Sequence, residues 1–214
     1  EALRDRAPLV YSGRISSANL LGEPDLLRLD GNGYVAGDIK SGAGLEGDTE
    51  EVEGEPKEHY AVQLALYTDI LERLGLSAGR RAFVWDVHGN EVPYDLQGTR
   101  GKRPPKVLWS TYEDYLHQVE MILSGDYGPE PALCGDCGLC HWRSRCLEVI
   151  EKAEDVSLVP GVGRKRRDKL TVCFPKISAM AKASGAELAE AEPKLDRISL
   201  DSLIKFRARA KLQL

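Results

Sequence analysis

Three charged side chains in one short stretch, Asp25, Asp38 and Lys40, have the types and spacing of a divalent-cation site. Two apolar-rich runs, 22–29 and 34–40, flank the segment Asp30-Gly31-Asn32-Gly33, whose composition is typical of a β-hairpin turn. Alternate residues of a strand share a face, so Asp38 and Lys40 point the same way, and strand pairing brings Asp25 toward them. This arrangement predicts that the two acids bind a hard cation and that Lys40 assists as a nearby positive charge. A solvated hairpin face without chemistry is the alternative, and the stretch by itself favours it.

A predicted helix of about four turns, from Glu58 to Leu74, can add polar groups to this site. Its apolar residues recur at helical spacing, and Gly75 is a typical stop. Gln63 and Tyr67 are four residues apart and therefore share one face. The alternative is a tyrosine at the edge of the core beside an exposed glutamine.

Four of the five cysteines fall within thirteen residues, with the spacing C-x2-C-x2-C-x5-C. In a chain with intracellular character this density favours a metal or iron–sulfur centre over disulfides. Short C-x2-C spacing lets neighbouring thiolates reach one centre, but it does not choose between zinc and iron–sulfur. Cys173 lies apart and is expected to be a small buried residue. The predicted ligands are Cys134, Cys137, Cys140 and Cys146.

The C-terminal part combines a glycine turn, Pro160-Gly161-Val162-Gly163, with a basic helix start, Arg164 to Lys169. Glycines let the backbone approach a phosphate, and nearby arginines add positive charge. The alternative is a helix–helix turn with a solvated basic face. Further helices are predicted around 177–191 and 200–212. The predicted phosphate contacts are Gly161, Gly163, Arg164, Lys165 and Arg167.

The remaining segments are predicted to be scaffold. A strand and loop occupy 8–20, and the acidic loop of 41–58 carries acids that are solvating charges. A second hairpin spans 81–94 with Pro93 at an edge, followed by a basic loop at 98–106 that can meet a phosphate backbone and a helix at 111–123. His88 and His117 are expected to have structural or surface roles.

Composition places the chain among ordinary globular proteins of one or two domains, with 214 residues and 42% hydrophobic content. The net charge of −5 is uneven, because residues 154–214 carry 13 basic and 8 acidic side chains. That part is therefore the one expected to face a polyanion. Neither a signal peptide nor an apolar run of membrane-spanning length is recognisable, which predicts a cytoplasmic protein. The first residue is Glu1 and the last predicted helix looks cut short, so a fragment of a longer protein is expected.

Taken together, these motifs resemble those of RecB-type nucleases in the PD-(D/E)XK superfamily. Asp25, Asp38-Ile39-Lys40 and Gln63 to Tyr67 are similar to the D, D-x-K and Q-x-x-x-Y motifs, over about residues 8–125. Cys137, Cys140 and Cys146 resemble the closing cysteine triad of iron–sulfur nucleases related to RecB. The glycine turn that follows resembles a helix-hairpin-helix, which grips DNA phosphates without reading sequence.

The resemblance implies metal-dependent hydrolysis of DNA phosphodiester bonds. Asp25, Asp38 and the carbonyl of Ile39 would hold Mg²⁺ or Mn²⁺, Lys40 would be catalytic, and Gln63 and Tyr67 would contact the strand. A 4Fe-4S cluster, with zinc as the alternative, would be structural. Two features depart from the family pattern. No cysteine precedes Cys134, so either it replaces the first cluster ligand or that ligand lies upstream of this chain. The upstream metal-binding acid or histidine is also not identifiable, and Glu1, Asp5 and Glu23 are poor candidates.

The predicted architecture is α/β, a restriction-endonuclease-like mixed sheet flanked by helices and followed by a small all-α domain. The predicted divisions are a nuclease core at 1–130, a cysteine segment at 131–150 and a helix-hairpin-helix domain at 151–214. The expected activity is that of a single-stranded DNA exonuclease in DNA repair or processing. The main alternative is a catalytically inactive DNA-binding or assembly module with a structural metal cluster. The expected partners are DNA and further domains of the same protein.

Overall fold

The computed structural model of the protein describes residues 2–48, 54–101 and 104–214. Parts of the predicted acidic loop (49–53) and of the basic loop (102–103), together with Glu1, lie outside the described residues. The chain divides into two compact units, Glu1–Tyr127 and Gly128–Leu214. The cysteine segment belongs to the second unit.

The first unit contains a five-stranded mixed sheet with the strand order β1-β4-β5-β8-β9. Only β5 and β8 are parallel, and helix α1 makes the crossover between them, as parallel neighbours require. The described residues also form three two-stranded ribbons, β2–β3, β6–β7 and β10–β11. The elements are β1 Leu9–Tyr11, β2 Ile15–Ser17, β3 Leu20–Gly22, β4 Leu26–Asp30, β5 Gly33–Ile39, β6 Leu45–Glu46, β7 Glu55–Pro56, α1 Glu58–Arg73, β8 Ser77–Trp85, β9 Glu91–Asp95, β10 Thr99–Arg100, β11 Lys106–Val107 and α2 Leu108–Ser124.

The core of this unit lies between the sheet and α1, and α2 packs on α1. Alternation along the strands sends one set of side chains toward the helix, including Leu27, Ala36 and Ala82. The apolar stripe of α1, with Leu64 and Ile70 fully buried, meets them. The mixed α/β architecture with flanking helices confirms the coarse fold prediction.

Local predictions from turn and helix signals agree with these elements. The hairpin β4–β5 is antiparallel, α1 ends one residue before the predicted Leu74, and Pro93 lies in the edge strand β9. The prediction for 8–20 was incomplete, because this segment and the next two residues form three short strands. Helix α2 begins at Leu108, three residues earlier than predicted.

The second unit is helical around its own core. The stretch predicted as helical around 177–191 is divided at Ser184, whose side chain caps a new helix in a capping box with Glu187. No helix in the described part of the chain is both long and apolar enough to cross a membrane. The elements are a 3-10 turn at Gly135–Leu139, α3 Arg143–Lys152, a 3-10 turn at Val156–Leu158, α4 Arg164–Leu170, α5 Ile177–Lys182, α6 Gly185–Ala191, a 3-10 turn at Glu192–Lys194 and α7 Leu200–Lys211.

Candidate active site

The two acids predicted to bind a cation lie at the same end of the β4–β5 hairpin. Leu26 pairs with Gly37, so Asp25, which precedes β4, lies beside Asp38 near the end of β5. Asp25 Oδ2 accepts the backbone N–H of Ile39 at 2.8 Å, which fixes that carboxylate against the strand. Asp38 is buried, with 3% of its surface exposed, whereas Asp25 is partly exposed. The structure therefore brings the two carboxylates together at the edge of the core.

Lys40 connects these acids to helix α1. Its backbone N–H donates to the carbonyl of Trp85 at 2.8 Å, which holds it beside β8. Its ammonium forms an ion pair with Asp38 and donates to Gln63 Oε1 at 2.7 Å. Gln63 Nε2 in turn donates to the hydroxyl oxygen of Tyr67 at 2.7 Å. One ion pair and two hydrogen bonds thus join four of the five residues that the sequence singled out, namely Asp38, Lys40, Gln63 and Tyr67.

Burial and the neighbouring acid determine the electrostatics of Asp38. Burial raises the pKa of Asp38, the Asp25 carboxyl raises it further, and Lys40 opposes both. Asp38 Oδ2 is inaccessible and accepts no well-aligned hydrogen bond, although the Lys40 ammonium lies close to it. Burial also raises the pKa of Tyr67, and the charges of Asp38 and Asp25 add to this increase despite the hydrogen bond from Gln63. The two carboxyl groups therefore interact with each other and with the Lys40 ammonium at this point of the fold.

The donor set suits a hard divalent cation. Two adjacent carboxylates, one with an inaccessible oxygen that lacks an aligned donor, are the oxygen ligands that Mg²⁺ and Mn²⁺ prefer. Within residues 2–48, 54–101 and 104–214, no three His, Cys, Asp or Glu side chains are grouped closely enough to hold one metal. Asp25 and Asp38 would therefore need backbone and water oxygens to complete the coordination, which is usual for Mg²⁺.

Sequence reasoning did not identify Lys57 and Tyr60 as neighbours of this site. Two ammonium groups lie near the Tyr60 ring, with Lys40 Nζ at 5.0 Å and Lys57 Nζ at 5.1 Å from its centroid. A signal was available, because Tyr60, Gln63 and Tyr67 have the i, i+3, i+7 spacing of one helix face. Lys57 had no such signal, since it precedes the helix.

The four clustered cysteines are only partly assembled. Cys134 Sγ and Cys137 Sγ lie 3.6 Å apart, and the Cys134 N–H donates to Cys137 Sγ at 3.3 Å. Cys140 is exposed and Cys146 is half-buried, and all of these thiols are free. Across the described ranges, no third thiol, carboxylate or imidazole joins the Cys134–Cys137 pair at metal-binding distance. The described geometry therefore fits two ligands and not a complete centre.

The glycine turn of the second unit is held by arginines. Gly161 has the left-handed φ of +88°, and Arg209 Nη1 donates to the adjacent carbonyl of Pro160 at 2.8 Å. Arg164 is exposed and donates to the carbonyl of Glu130 at 2.6 Å. The turn itself is completed by Gly163, the N-cap of α4, and is followed by the exposed Lys165.

Arg167 differs from its basic neighbours because its side chain is largely buried. It forms ion pairs with Asp155 at 2.9 Å and with Glu130 at 2.5 Å, and 13% of its side chain is exposed. Its guanidinium thereby connects the segment before the cysteines to the turn that follows α3. This is a structural contact within the second unit.

We compared the sequence with known proteins and with models of protein families. A search of curated proteins gave no match. A sequence model of the PD-(D/E)XK nuclease superfamily matches residues 3–147, which include the hairpin and helix α1. This superfamily consists in general of metal-dependent nucleases. Since the match covers more than half of the chain, the protein belongs to the PD-(D/E)XK nuclease superfamily.

Proposed function

We propose that this chain is a metal-dependent nuclease that hydrolyses phosphodiester bonds, acting as an exonuclease on single-stranded DNA in repair or processing. The observation that carries the proposal is the chain of contacts in which Asp38 pairs with the Lys40 ammonium, Lys40 donates to Gln63, and Gln63 donates to Tyr67. Its position beside Asp25, in a chain of this superfamily, supports a hydrolytic site.

Asp25, Asp38 and the carbonyl of Ile39 would hold Mg²⁺ or Mn²⁺, which when bound polarises the scissile phosphate. Lys40 is the residue best placed to stabilise charge that develops on that phosphate. Its compact ammonium is already oriented from two sides, by Asp38 and by Gln63 at 2.7 Å, so little reorganisation is needed. Tyr67 fixes the Gln63 amide, and this leaves Gln63 Oε1 facing Lys40.

Replacement of Lys40 tests the proposal directly. We expect Lys40→Ala to lower Mn²⁺-dependent cleavage of a fluorescein-labelled single strand by about 100-fold or more, because one preorganised charge is lost. Lys205→Ala, which removes an exposed lysine of α7 in the second unit, is the matched control. Equal cleavage by both variants would remove the catalytic assignment. Salt-sensitive DNA binding without metal-dependent cleavage by the unmodified chain would favour the inactive module.

We also propose that the cysteine segment binds a structural 4Fe-4S cluster, with zinc as the alternative. The proposal rests on the cysteine spacing, since the described geometry assembles only Cys134 and Cys137. The cluster would take no part in the cleavage reaction. A visible spectrum after purification without air, with iron and zinc quantified per chain, distinguishes the two metals. A colourless protein with one zinc would exclude the cluster.

For the second unit we propose non-specific binding of DNA phosphates through Gly161, Gly163, Arg164 and Lys165. The basic character of residues 154–214 supports this role, and Lys165 is exposed at the start of α4. Arg167 would contribute mainly by holding the turn, because its guanidinium is engaged by Asp155 and Glu130. Lys165→Gln should weaken binding to all sequences and reduce the salt dependence by about one phosphate contact. An unchanged salt slope would argue against the contact.

A further inference from the structure

An apolar groove of about 540 Å³ lies beside the candidate active site, between α1, α2 and the β2–β3 ribbon. We infer that this groove binds unpaired bases of the DNA strand whose phosphate lies at Lys40. The inference rests on the proposed function, because it assigns a specificity surface to the same substrate. Its principal walls are formed by Leu21, His59, Gln63, Tyr115, Leu116 and Val119.

The groove is continuous with the site through Gln63. The Gln63 side chain lines the groove, and its Oε1 accepts the hydrogen bond from Lys40 Nζ at 2.7 Å. A phosphate at Lys40 would therefore lie close to Gln63, one of the residues that line the groove. The base attached to a neighbouring sugar needs only to turn toward α2 to enter it.

The walls have the chemistry of a surface on which bases stack. Leu21 is 48% exposed, Tyr115 is 46% exposed and Val119 is 50% exposed, so a group of large apolar side chains faces solvent in one place. The Tyr115 hydroxyl donates to Glu58 Oε1 at 3.1 Å, which holds the ring on the α1 side. Aromatic side chains bind any base through its π face, so such a groove needs no sequence preference.

Positive charge lies near the α1 wall of the groove, around the Tyr60 ring that the lining residue His59 contacts. Lys40 and Lys57 place ammonium groups 5.0 and 5.1 Å from the Tyr60 ring centroid. His59, the neighbour of Tyr60, lines the groove and makes an edge contact with that ring, with the centroids 4.4 Å apart. Cations next to an apolar wall suit a ligand with phosphates along one side and bases along the other. An apolar protein segment is a poorer match for the groove, because it carries no phosphates to pair with these ammonium groups.

Only an unpaired strand can use the groove in this way. In a duplex, both faces of each internal base are stacked on neighbouring pairs and are unavailable to a side chain. Bases of a single strand are free to turn outward, and their stacking on protein aromatics is then favourable. The groove therefore selects for single-stranded DNA at the site and against intact duplex.

Tyr115→Ala separates base binding from phosphate binding. We would measure the binding of the full chain, without divalent cation, to a fluorescein-labelled thymidine oligonucleotide and to an abasic deoxyribose-phosphate chain of equal length. The expected result is about tenfold weaker binding of the oligonucleotide and unchanged binding of the abasic chain. Tyr115→Phe, which keeps the ring but loses the hydroxyl bonded to Glu58, should retain most of the affinity. Tyr127→Ala, which removes an exposed tyrosine outside the groove, is the matched control.

Thermal unfolding of each variant shows whether it is folded, and Val119→Ala provides a second substitution that removes apolar wall from the groove without adding charge. Equal losses for both oligomers, or no loss with either folded variant, would overturn the inference. Mn²⁺-dependent cleavage by the unmodified chain tests the proposed function separately. If the unmodified chain cleaves DNA but Tyr115→Ala leaves oligonucleotide binding unchanged, only the role of the groove is refuted. If Tyr115→Ala weakens binding of the oligonucleotide alone but the unmodified chain cleaves no DNA, only the nuclease activity is refuted.

Discussion

Gly22 lies at the end of β3, where its α carbon faces the ring of Tyr67. A Cβ added at this position would lie 2.6 Å from Cδ1 and 2.9 Å from Cε1 of Tyr67, and 3.3 Å from Cδ1 of Ile70. Carbon atoms pack at about 3.5–4.0 Å, so Gly22→Ala requires the ring to move by about 1 Å. We expect this variant to lose about 1–3 kcal/mol of unfolding free energy, as is typical of overpacking.

The same displacement should impair the candidate site. Tyr67 accepts the hydrogen bond from Gln63 Nε2 at 2.7 Å, and Gln63 holds Lys40, so movement of the ring disturbs the lysine. Misplacement of a reacting group by 1 Å lowers a rate on the order of 100-fold. We expect Gly22→Ala to reduce Mn²⁺-dependent cleavage of a single strand by this factor at temperatures where the protein remains folded.

A double-mutant cycle tests the cause. If the clash is with the ring, Gly22→Ala should cost almost nothing in a Tyr67→Ala background, giving a coupling energy of about 1–3 kcal/mol in urea unfolding. Gly185→Ala is the control, because a Cβ there meets no atom within 4 Å and the substitution should be neutral or slightly stabilising. An equal cost of Gly22→Ala with and without the Tyr67 ring would refute the argument.

Two further predictions concern ion pairs. Burial alone would raise the pKa of Asp69, but hydrogen bonds from Arg73 and Tyr112 outweigh it and hold this pKa below its usual range. The stabilisation is therefore complete above the unfolded pKa of about 3.9 and is lost as the pH falls through the folded value, so Asp69→Asn should flatten the acid limb of stability measured by urea unfolding. Arg167→Met should cost about 3–5 kcal/mol, because Asp155 is 5% exposed and loses its cation. A cost below about 1 kcal/mol in thermal or urea unfolding would show that this pair does not hold the turn.

Local signals were sufficient for the elements that carry the site. The turn Asp30-Gly31-Asn32-Gly33 between two apolar runs predicted the β4–β5 hairpin, and the apolar period with Gly75 predicted α1. Local sequence signals did not predict the short strands β2 and β3 near the N-terminus, each of which has only three residues. The β2–β3 ribbon turns at Ala18 and Asn19, and Ala18 adopts a φ of +51° although alanine has no turn preference.

The sequence by itself determined which residues share a strand or a helix face, because backbone periodicity depends only on near neighbours. It therefore placed Asp38 with Lys40 and Gln63 with Tyr67. Only the tertiary structure decided that these two pairs meet, since the 2.7 Å contact between Lys40 and Gln63 depends on how α1 packs across the sheet. Packing also decided that Arg167, which the sequence predicts to contact DNA, pairs with Asp155 and Glu130 and is largely buried. Side chains distant in sequence acquire their partners from packing, and no local pattern records that choice.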